Sequence, residues 1–546
     1  MKGDNMEAVM ALANNPVLWV LSLASIAIVL WQTWIYFKMA KDYVRDTNVL
    51  TKEEINDVEI LFGGLHWRAE RAIRAVFENL GYRARALPVA TRKDLQTGRE
   101  LADIGQCCPT SFTTGNLVNF LRNEAEKVGP AEVARKYVYL TAGSCGACRF
   151  GQYHLSYELA LRNLGLGDFR VFLMDQSRLD QGAAKGGGLE INMPLTLGAV
   201  WAVLCTDVLQ SLEYRVRPYE VVPGATDRAV QESVDYLCEV LRKRPHRDGT
   251  WRPLMWHLTT SYFVDALREV KSKFDTIEVN RLQPKPVVKI TGEFYLQTVE
   301  GDPNYNIHRW LESEGAEVYP ASIAIWLDYW MRFYVQNFED YVGIDRYARA
   351  KIAAVKTLQR LFHWTYNRLR GALGDIPHEI PDQYELRRLA APYFHHRLSG
   401  GEGDMLVGKA LWAHLNKKAH MICELSPYAC MPNTMSVGAM AGVVGKHPDL
   451  LYAPIEVKGD AEVHALSRCQ MILTEAKKRA IREYVEAMEW TGLTPEDAQP
   501  LIDAKPETKR ATYRVPHYGV VGGAANTLLH LAEISGRLQP SQRRAA

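Results

Sequence analysis

Six of the nine cysteines stand in three tight groupings: Cys107 beside Cys108, Cys145 and Cys148 in a Cys-Gly-Ala-Cys turn, and Cys423 with Cys430. Each grouping has turn-forming Gly or Pro next to it. Soft thiolates gathered from distant segments, on backbone that turns sharply, are what an iron–sulfur cluster or a zinc ion requires. A disulfide framework is the competing reading. Against it, nine is an odd number, the chain is long enough for an ordinary core, and no cleavable secretion signal is evident. Metal binding is the better reading. Cys205, Cys238 and Cys469 sit in apolar stretches and are expected in the core.

The elements that must position these turns can be read from pattern. Lys136 to Thr141 is apolar and β-branched, a strand that runs straight into the glycine-rich turn ending at Cys148. Tyr153 to Leu164 has helical spacing with Gly165 as its stop, and Phe169 to Met174 is again a strand. Strand, turn, helix and strand make a βαβ unit, so a parallel sheet flanked by helices is expected. Such folds place ligands at the carboxyl ends of their strands, where Cys145 and Cys148 fall. A second unit starts with the strand Pro286 to Thr291, turns at Gly292-Glu293, and continues as a helix over Asn304 to Glu314 and a strand over Ala316 to Tyr319. A third strand, Ala419 to Leu425, leads to Cys430. Ile323 to Leu389 reads as a helical cap, Thr51 to Leu80 as a helix ended by Gly81, and Tyr82 to Pro88 as a short strand. The polar last residues are expected to fray.

Composition bounds the rest. The chain has 546 residues, 47% hydrophobic and 23% charged, which is globular material for several domains. A formal net charge of +2 and no dense basic stripe argue against a nucleic-acid partner. Pro16 to Phe37 carries no charge and, at about 1.5 Å per residue, is long enough to cross a hydrocarbon core of roughly 30 Å. Trp19 at one end and Trp31, Trp34 and Tyr36 at the other read as interfacial anchors. Lys38, Lys41 and Arg45 follow the span against Lys2 alone before it, which places the bulk of the chain in the cytoplasm, anchored to the cytoplasmic membrane by a single pass. No second span is expected downstream. The expected division is an anchor over 1–45, a first α/β domain over 46–280, a second with the helical insertion over 281–500, and a tail over 501–546.

Other polar residues invite two readings each. Arg149 could hydrogen-bond cluster sulfurs or form a salt bridge. Glu293 and Glu456, at expected strand ends, could serve as acid or base or as caps. His464 and Ser467 follow Gly459-Asp460 on a helix and could shape a cleft. His395 and His396 are adjacent on the chain and make poor co-ligands. Zinc on Cys145, Cys148 and two further cysteines is the alternative metal. No Walker A motif is present, and Gly519 to Gly523 reads as a turn rather than a phosphate cradle.

Several runs, in order, resemble a known family. They are CCPTSFTTGNL (Cys107 to Leu117), SCGACRFGQY (Ser144 to Tyr153), VRPYE (Val216 to Glu220), ITGEFYL with DPNYN (Ile290 to Asn306), and SPYACMPNT with LYAPIEVKGDAEVHALSRCQM (Ser426 to Met471). Together they resemble the subunits of 2-hydroxyacyl-CoA dehydratases and benzoyl-CoA reductases over about residues 55 to 480. The resemblance implies tandem Rossmann/flavodoxin-like parallel-sheet domains with a helical cap, here preceded by the transmembrane helix. It implies a 4Fe-4S cluster, or half of a linked double cubane, held by Cys108, Cys148 and Cys430. Cys145 is the strongest additional ligand, and Cys107 and Cys423 are lesser candidates. It also implies a separate ATPase activator or electron donor, a homo- or heterodimer, and a small-molecule or acyl-CoA substrate. The expected function is a membrane-anchored, low-potential reductase or dehydratase component; a non-catalytic electron carrier or scaffold at the membrane is the alternative.

Overall fold

The computed structural model describes residues 49–102, 105–143, 148–174, 188–245, 251–398 and 401–537. The expected anchor helix and Cys145 lie outside them. Of the described residues, 49–54 and 188–190 belong to one small unit, within which the Gly188 amide donates to the Leu50 carbonyl, and all others belong to a second. The elements below are those of the second unit.

The fold is α/β, with two four-stranded parallel sheets and a majority of helix. The first sheet contains β1 (Glu59–Phe62), β2 (Arg83–Ala86), β3 (Tyr137–Ala142) and β4 (Arg170–Met174), ordered β2-β1-β3-β4. The second contains β5 (Val287–Gly292), β6 (Glu317–Tyr319), β7 (Met421–Pro427) and β8 (Leu451–Val457), ordered β6-β5-β7-β8. Both therefore run second, first, third, fourth. The chain reverses direction across each sheet between its first and third strands, and that reversal opens a crevice at the carboxyl ends of β1 and β3, and of β5 and β7.

One expected helix divides in two. Thr51 to Leu80 holds β1 and, after Gly63-Gly64, helix α1 (Trp67–Asn79), with His66 as N-cap accepting from the Ala69 amide at 3.1 Å. All four β1 residues are buried. A central parallel strand is covered on both faces, so it reads as an unbroken apolar run with no alternation to separate it from helix. The expected helix over Asn304 to Glu314 is also shorter. Tyr305 and Asn306 take left-handed backbone, and the α-helix spans only Ile307–Ser313.

Next come α2 (Arg92–Leu101), α3 (Cys108–Val128), α4 (Tyr153–Asn163) and α5 (Met193–Val216). Helices α2 and α3 cross in near backbone contact: a Cβ on Gly98 would stand 1.8 Å from the Ser111 carbonyl oxygen, and one on Gly115 would stand 1.8 Å from that of Asp94. Met193–Tyr219 is long and apolar enough to cross a membrane by length and composition, although 83% of its apolar window is buried in the protein. Its charges have protein partners. Asp207 meets His66 at 3.3 Å, and Glu213 takes two bonds of 2.5 Å from Arg68. These partners fit a core helix.

In the second half, α6 (Phe294–Thr298) follows β5, and α7 (Ile307–Ser313) precedes β6. Between β6 and β7 lie α8 (Ile323–Asp340), α9 (Ala348–Ala372), α10 (Gln383–Ala390) and α11 (Asp404–Leu415), the helical region expected there. The bidentate Arg332–Asp404 pair, 2.6 Å at each bond and buried, ties α8 to the start of α11. Helix α12 (Met431–Lys446) follows β7, and α13 (Glu462–Thr491) follows β8. The region expected as a tail contains α14 (Gly523–Ile534), whose Leu528 and Leu529 share a core cluster with Tyr484 and Ala487 of α13. The turn at Gly519 to Gly523 is bound from within, since the Glu483 carboxylate accepts from the Val521 and Gly522 amides at 2.8 and 2.5 Å.

Candidate functional site

Four residues at strand or helix ends define the site. Cys148 follows β3 and caps the 3-10 turn Arg149–Gln152 that leads into α4. Cys430 follows β7 and caps α12, with Pro432 in its first turn. Cys107 caps α3, placing Cys108 and Pro109 at the start of that helix. Glu293 follows β5 and caps α6, its Oε2 accepting from the Leu296 amide at 3.0 Å. Proline is favoured in a first turn because its missing N–H would be unpaired there in any case. None of the three capping cysteines uses its sulfur to cap its own helix.

Backbone bonds bring these segments together. The Cys108 amide donates to the Tyr428 carbonyl at 3.2 Å, which sets the start of α3 against the turn before Cys430. Ala429 in that turn has φ +62°. Arg99 of α2 donates to the Lys458 carbonyl at 2.6 Å and to Asp460 at 2.9 Å, while the Tyr305 hydroxyl accepts from the Lys458 and Gly459 amides. Segments attached to both sheets are thereby fastened around one place.

Burial dominates the electrostatics there. It pushes the Cys108 and Cys148 thiols up to about 12 and raises Cys107 and Cys430 as well. A helix N-terminus ordinarily lowers a thiol's pKa, but here desolvation outweighs it. The negative charge of Glu293 adds to the rise at all four thiols. Burial lifts Glu293 itself to about 7, opposed by the Leu296 and Tyr295 amides. A second carboxyl, Glu402, is lifted to about 8 by burial and then by Glu293, and its Oε1 is buried without a partner among the described residues. Burial lowers Lys409 of α11 to about 8, opposed by the charges of Glu402 and Glu424. Its ammonium donates to Gln297 at 3.3 Å.

Glu402 is the residue that sequence reading missed. Its signal was an acidic side chain in the Gly401-Glu402-Gly403 loop, where a Cβ on Gly401 would stand 2.7 Å from Pro432 at the start of α12.

The other expected residues are distributed as follows. Cys107 lies in the wall, its sulfur 2.9 Å from the Tyr153 hydroxyl and 3.1 Å from that of Thr110. Cys423 is fully buried in the core within β7, where its thiol pairs with Cys469 of α13; the fold does not bring it to the other thiols. Cys205 and Cys238 are buried as expected. Arg149 donates to the Gly105 carbonyl, and its Nε is buried without a partner among the described residues. Glu456 pairs with Lys458 at 3.1 Å, and both line a surface cleft of about 340 Å³ with His464 and Arg468. Ser467 is exposed. His396 meets Arg387 at 2.6 Å and stacks on His395.

Among the described residues, no three His, Cys, Asp or Glu side chains are grouped to hold a metal ion. Cys108, Cys148 and Cys430 offer soft sulfur donors, a set whose chemistry fits an iron–sulfur cluster or zinc alike. No protein-family model and no curated protein matches the sequence.

Proposed function

We propose that this chain is an iron–sulfur protein of the 2-hydroxyacyl-CoA dehydratase type, anchored to the cytoplasmic membrane through Pro16 to Phe37 with its bulk in the cytoplasm. In this reading its two halves are tandem Rossmann/flavodoxin-like domains with α8 to α10 as a helical cap. Cys108, Cys148 and Cys430 hold a 4Fe-4S cluster or half of a double cubane, with Cys145 as a further ligand. The observation that supports the reading is the placing of Cys108, Cys148 and Cys430 at or just before helical starts, with the Cys108 amide bonded to the Tyr428 carbonyl in the turn before Cys430. When bound, such a cluster supplies one-electron transfer at low potential.

The chain's own residues supply the protein part of the chemistry. The start of α3 is held to the turn before Cys430 by the bond from the Cys108 amide to the Tyr428 carbonyl, and Cys107, Cys108 and Cys430 are buried while Cys148 is partly exposed. Burial raises Glu293 to about 7 and Glu402 to about 8, which suits general acid–base work on a substrate. Two such carboxyls favour a reductase or dehydratase component over a carrier or scaffold. Electrons arrive from a separate ATP-dependent activator, the substrate is a small molecule or acyl-CoA, and the working unit is a homo- or heterodimer.

The test is anaerobic purification of the full chain in detergent, followed by iron, sulfide and zinc analysis and electron paramagnetic resonance of the dithionite-reduced protein. Stoichiometric iron and sulfide, lost in Cys108→Ala, Cys148→Ala and Cys430→Ala, supports the proposal. Zinc alone, no metal, or iron that survives all three substitutions refutes it.

A further inference from the structure

The long helix of the cap keeps an apolar face toward solvent. The inner side of α9 is fixed to α8 by polar bonds: the Gln359 side-chain amide donates to the Asp328 carboxylate at 2.6 Å, and the His363 Nε2 meets the same carboxylate at 2.8 Å. Away from them, Tyr347, Ala350, Ala354, Thr357, Leu361 and Trp364 follow one another at steps of three and four residues, which sets them in one stripe along the helix. All six are exposed. Tyr347 is 62% exposed, Trp364 46%, and Ile344, just before the helix, 80%. From Tyr347 to Trp364 the stripe runs about 25 Å at about 1.5 Å per residue. A solvent-facing helix side is ordinarily polar, and a contiguous apolar one marks a surface that meets something else.

The charge of this segment has one sign. From Arg346 to Gly374 the sequence holds seven Lys or Arg and no Asp or Glu. Some of these cations are engaged: Lys351 pairs with Asp345 at 2.7 Å, Arg370 with Asp375 at 3.2 Å, and Arg368 donates to the Leu258 and Thr260 carbonyls. Arg349 and Arg360 are exposed and have no hydrogen bond or ion pair among the described residues. At about 100° per residue, both lie roughly a quarter turn from the stripe on one flank, with Lys351 at a similar angle on the other. An apolar stripe with Tyr and Trp near its ends and cations along its flanks matches the boundary of a bilayer, where aromatic rings sit at headgroup level and basic side chains reach anionic headgroups. A second copy of the helix fits less well. Antiparallel pairing of two stripes would bring Arg349 of one copy near Arg360 of the other, with no acid on either segment to separate them.

We propose that the outer face of α9 docks on an anionic lipid surface, with Tyr347, Leu361 and Trp364 entering the headgroup boundary and Arg349 and Arg360 meeting the headgroup anions. The contact adds to the membrane anchoring proposed above but does not rest on it, because α9 carries its own apolar and basic groups, and it is independent of the thiol centre. A face of this kind lies in the plane of the interface and does not span it. Its occupancy follows the anionic lipid content and falls as salt screens the arginines.

The experiment is hydroxyl-radical footprinting, read by mass spectrometry, of the full-length protein with bilayer discs of phosphatidylcholine alone or of phosphatidylcholine and phosphatidylserine in equal parts. Recovery of the protein with the neutral discs reports on the anchor, whereas protection of α9 that depends on lipid charge reports on this face, so the two readings fail separately. The expected result is that oxidation of Tyr347, Leu361 and Trp364 falls several-fold on the mixed discs relative to the neutral ones, while Met471, exposed on α13, reacts equally on both. The protection is expected to be lost when Arg349→Gln and Arg360→Gln are combined. Both side chains are exposed and unpaired, so this variant should fold; if it does not, raised sodium chloride applied to the natural protein must weaken the protection instead. Equal oxidation of α9 on the two kinds of disc, or protection that survives both the paired substitution and high salt, overturns the proposal. So does protection that appears without anionic lipid and grows with protein concentration, which would make a second copy the occupant.

Discussion

Replacing Glu70 with glutamine isolates one buried carboxyl at the edge of the first sheet. Glu70 lies in the first turn of α1, 7% exposed, and its Oε1 accepts from the Leu65 amide at 3.0 Å in the turn that follows β1. Burial lifts its pKa from 4.5 to about 7, opposed by the Leu65 and Gly64 amides. The folded protein thus keeps a proton that the unfolded chain releases above 4.5. The contribution is fully present below that value and is lost as pH climbs through 7. A difference of about 2.5 in pKa corresponds to about 3 kcal/mol. Glutamine keeps the acceptor oxygen and removes the titration. Urea unfolding of the natural protein and Glu70→Gln across the pH range should give a difference that grows in favour of glutamine, from about 1 kcal/mol near pH 5 to about 3 kcal/mol near pH 8. A difference that stays flat with pH, or that shrinks as pH rises, would show that the Glu70 carboxyl is not desolvated and would refute the reasoning.

Two further outcomes follow from packing around the thiols. Gly98→Ala drives a methyl group into the Ser111 carbonyl; it should cost at least about 1–3 kcal/mol, lower the melting temperature and, by displacing the start of α3, reduce bound iron together with stability. Cys423→Ala removes a sulfur from the core between β7 and α13 and should cost about 1–2 kcal/mol while leaving iron and sulfide per chain unchanged, in contrast to Cys108→Ala measured in parallel.

What could be read from the sequence was local. β3, β4, β5, β6 and β7 each combine a short apolar run with a Gly or Pro turn at its end, and such signals are complete within a few residues. The cysteine turns were legible for the same reason: Cys148 stands six positions after the end of β3 and directly before a 3-10 turn, and Cys430 and Cys108 each stand just before or at a helix that opens with proline. β1 was not legible, because the burial of both its faces removed the alternation that marks a strand. Nor was α5, whose apolar length permits either a membrane or a core, a choice made by partners such as Arg68 and His66 more than a hundred residues away.

Sequence alone determined that thiols would stand at strand ends and helix starts, because turn chemistry and capping are properties of neighbouring residues. Only the tertiary structure decided which of these segments meet, as where the Cys108 amide bonds the Tyr428 carbonyl. It separated Cys423 from Cys430, seven positions apart, by placing one within a strand in the core and the other past the strand's end. It also buried Glu293 and Glu402, which raises both carboxyls, and set Lys289 of the second sheet over the Tyr319 ring. Burial and charge pairing depend on what folds against a residue, and that information is spread across the whole chain.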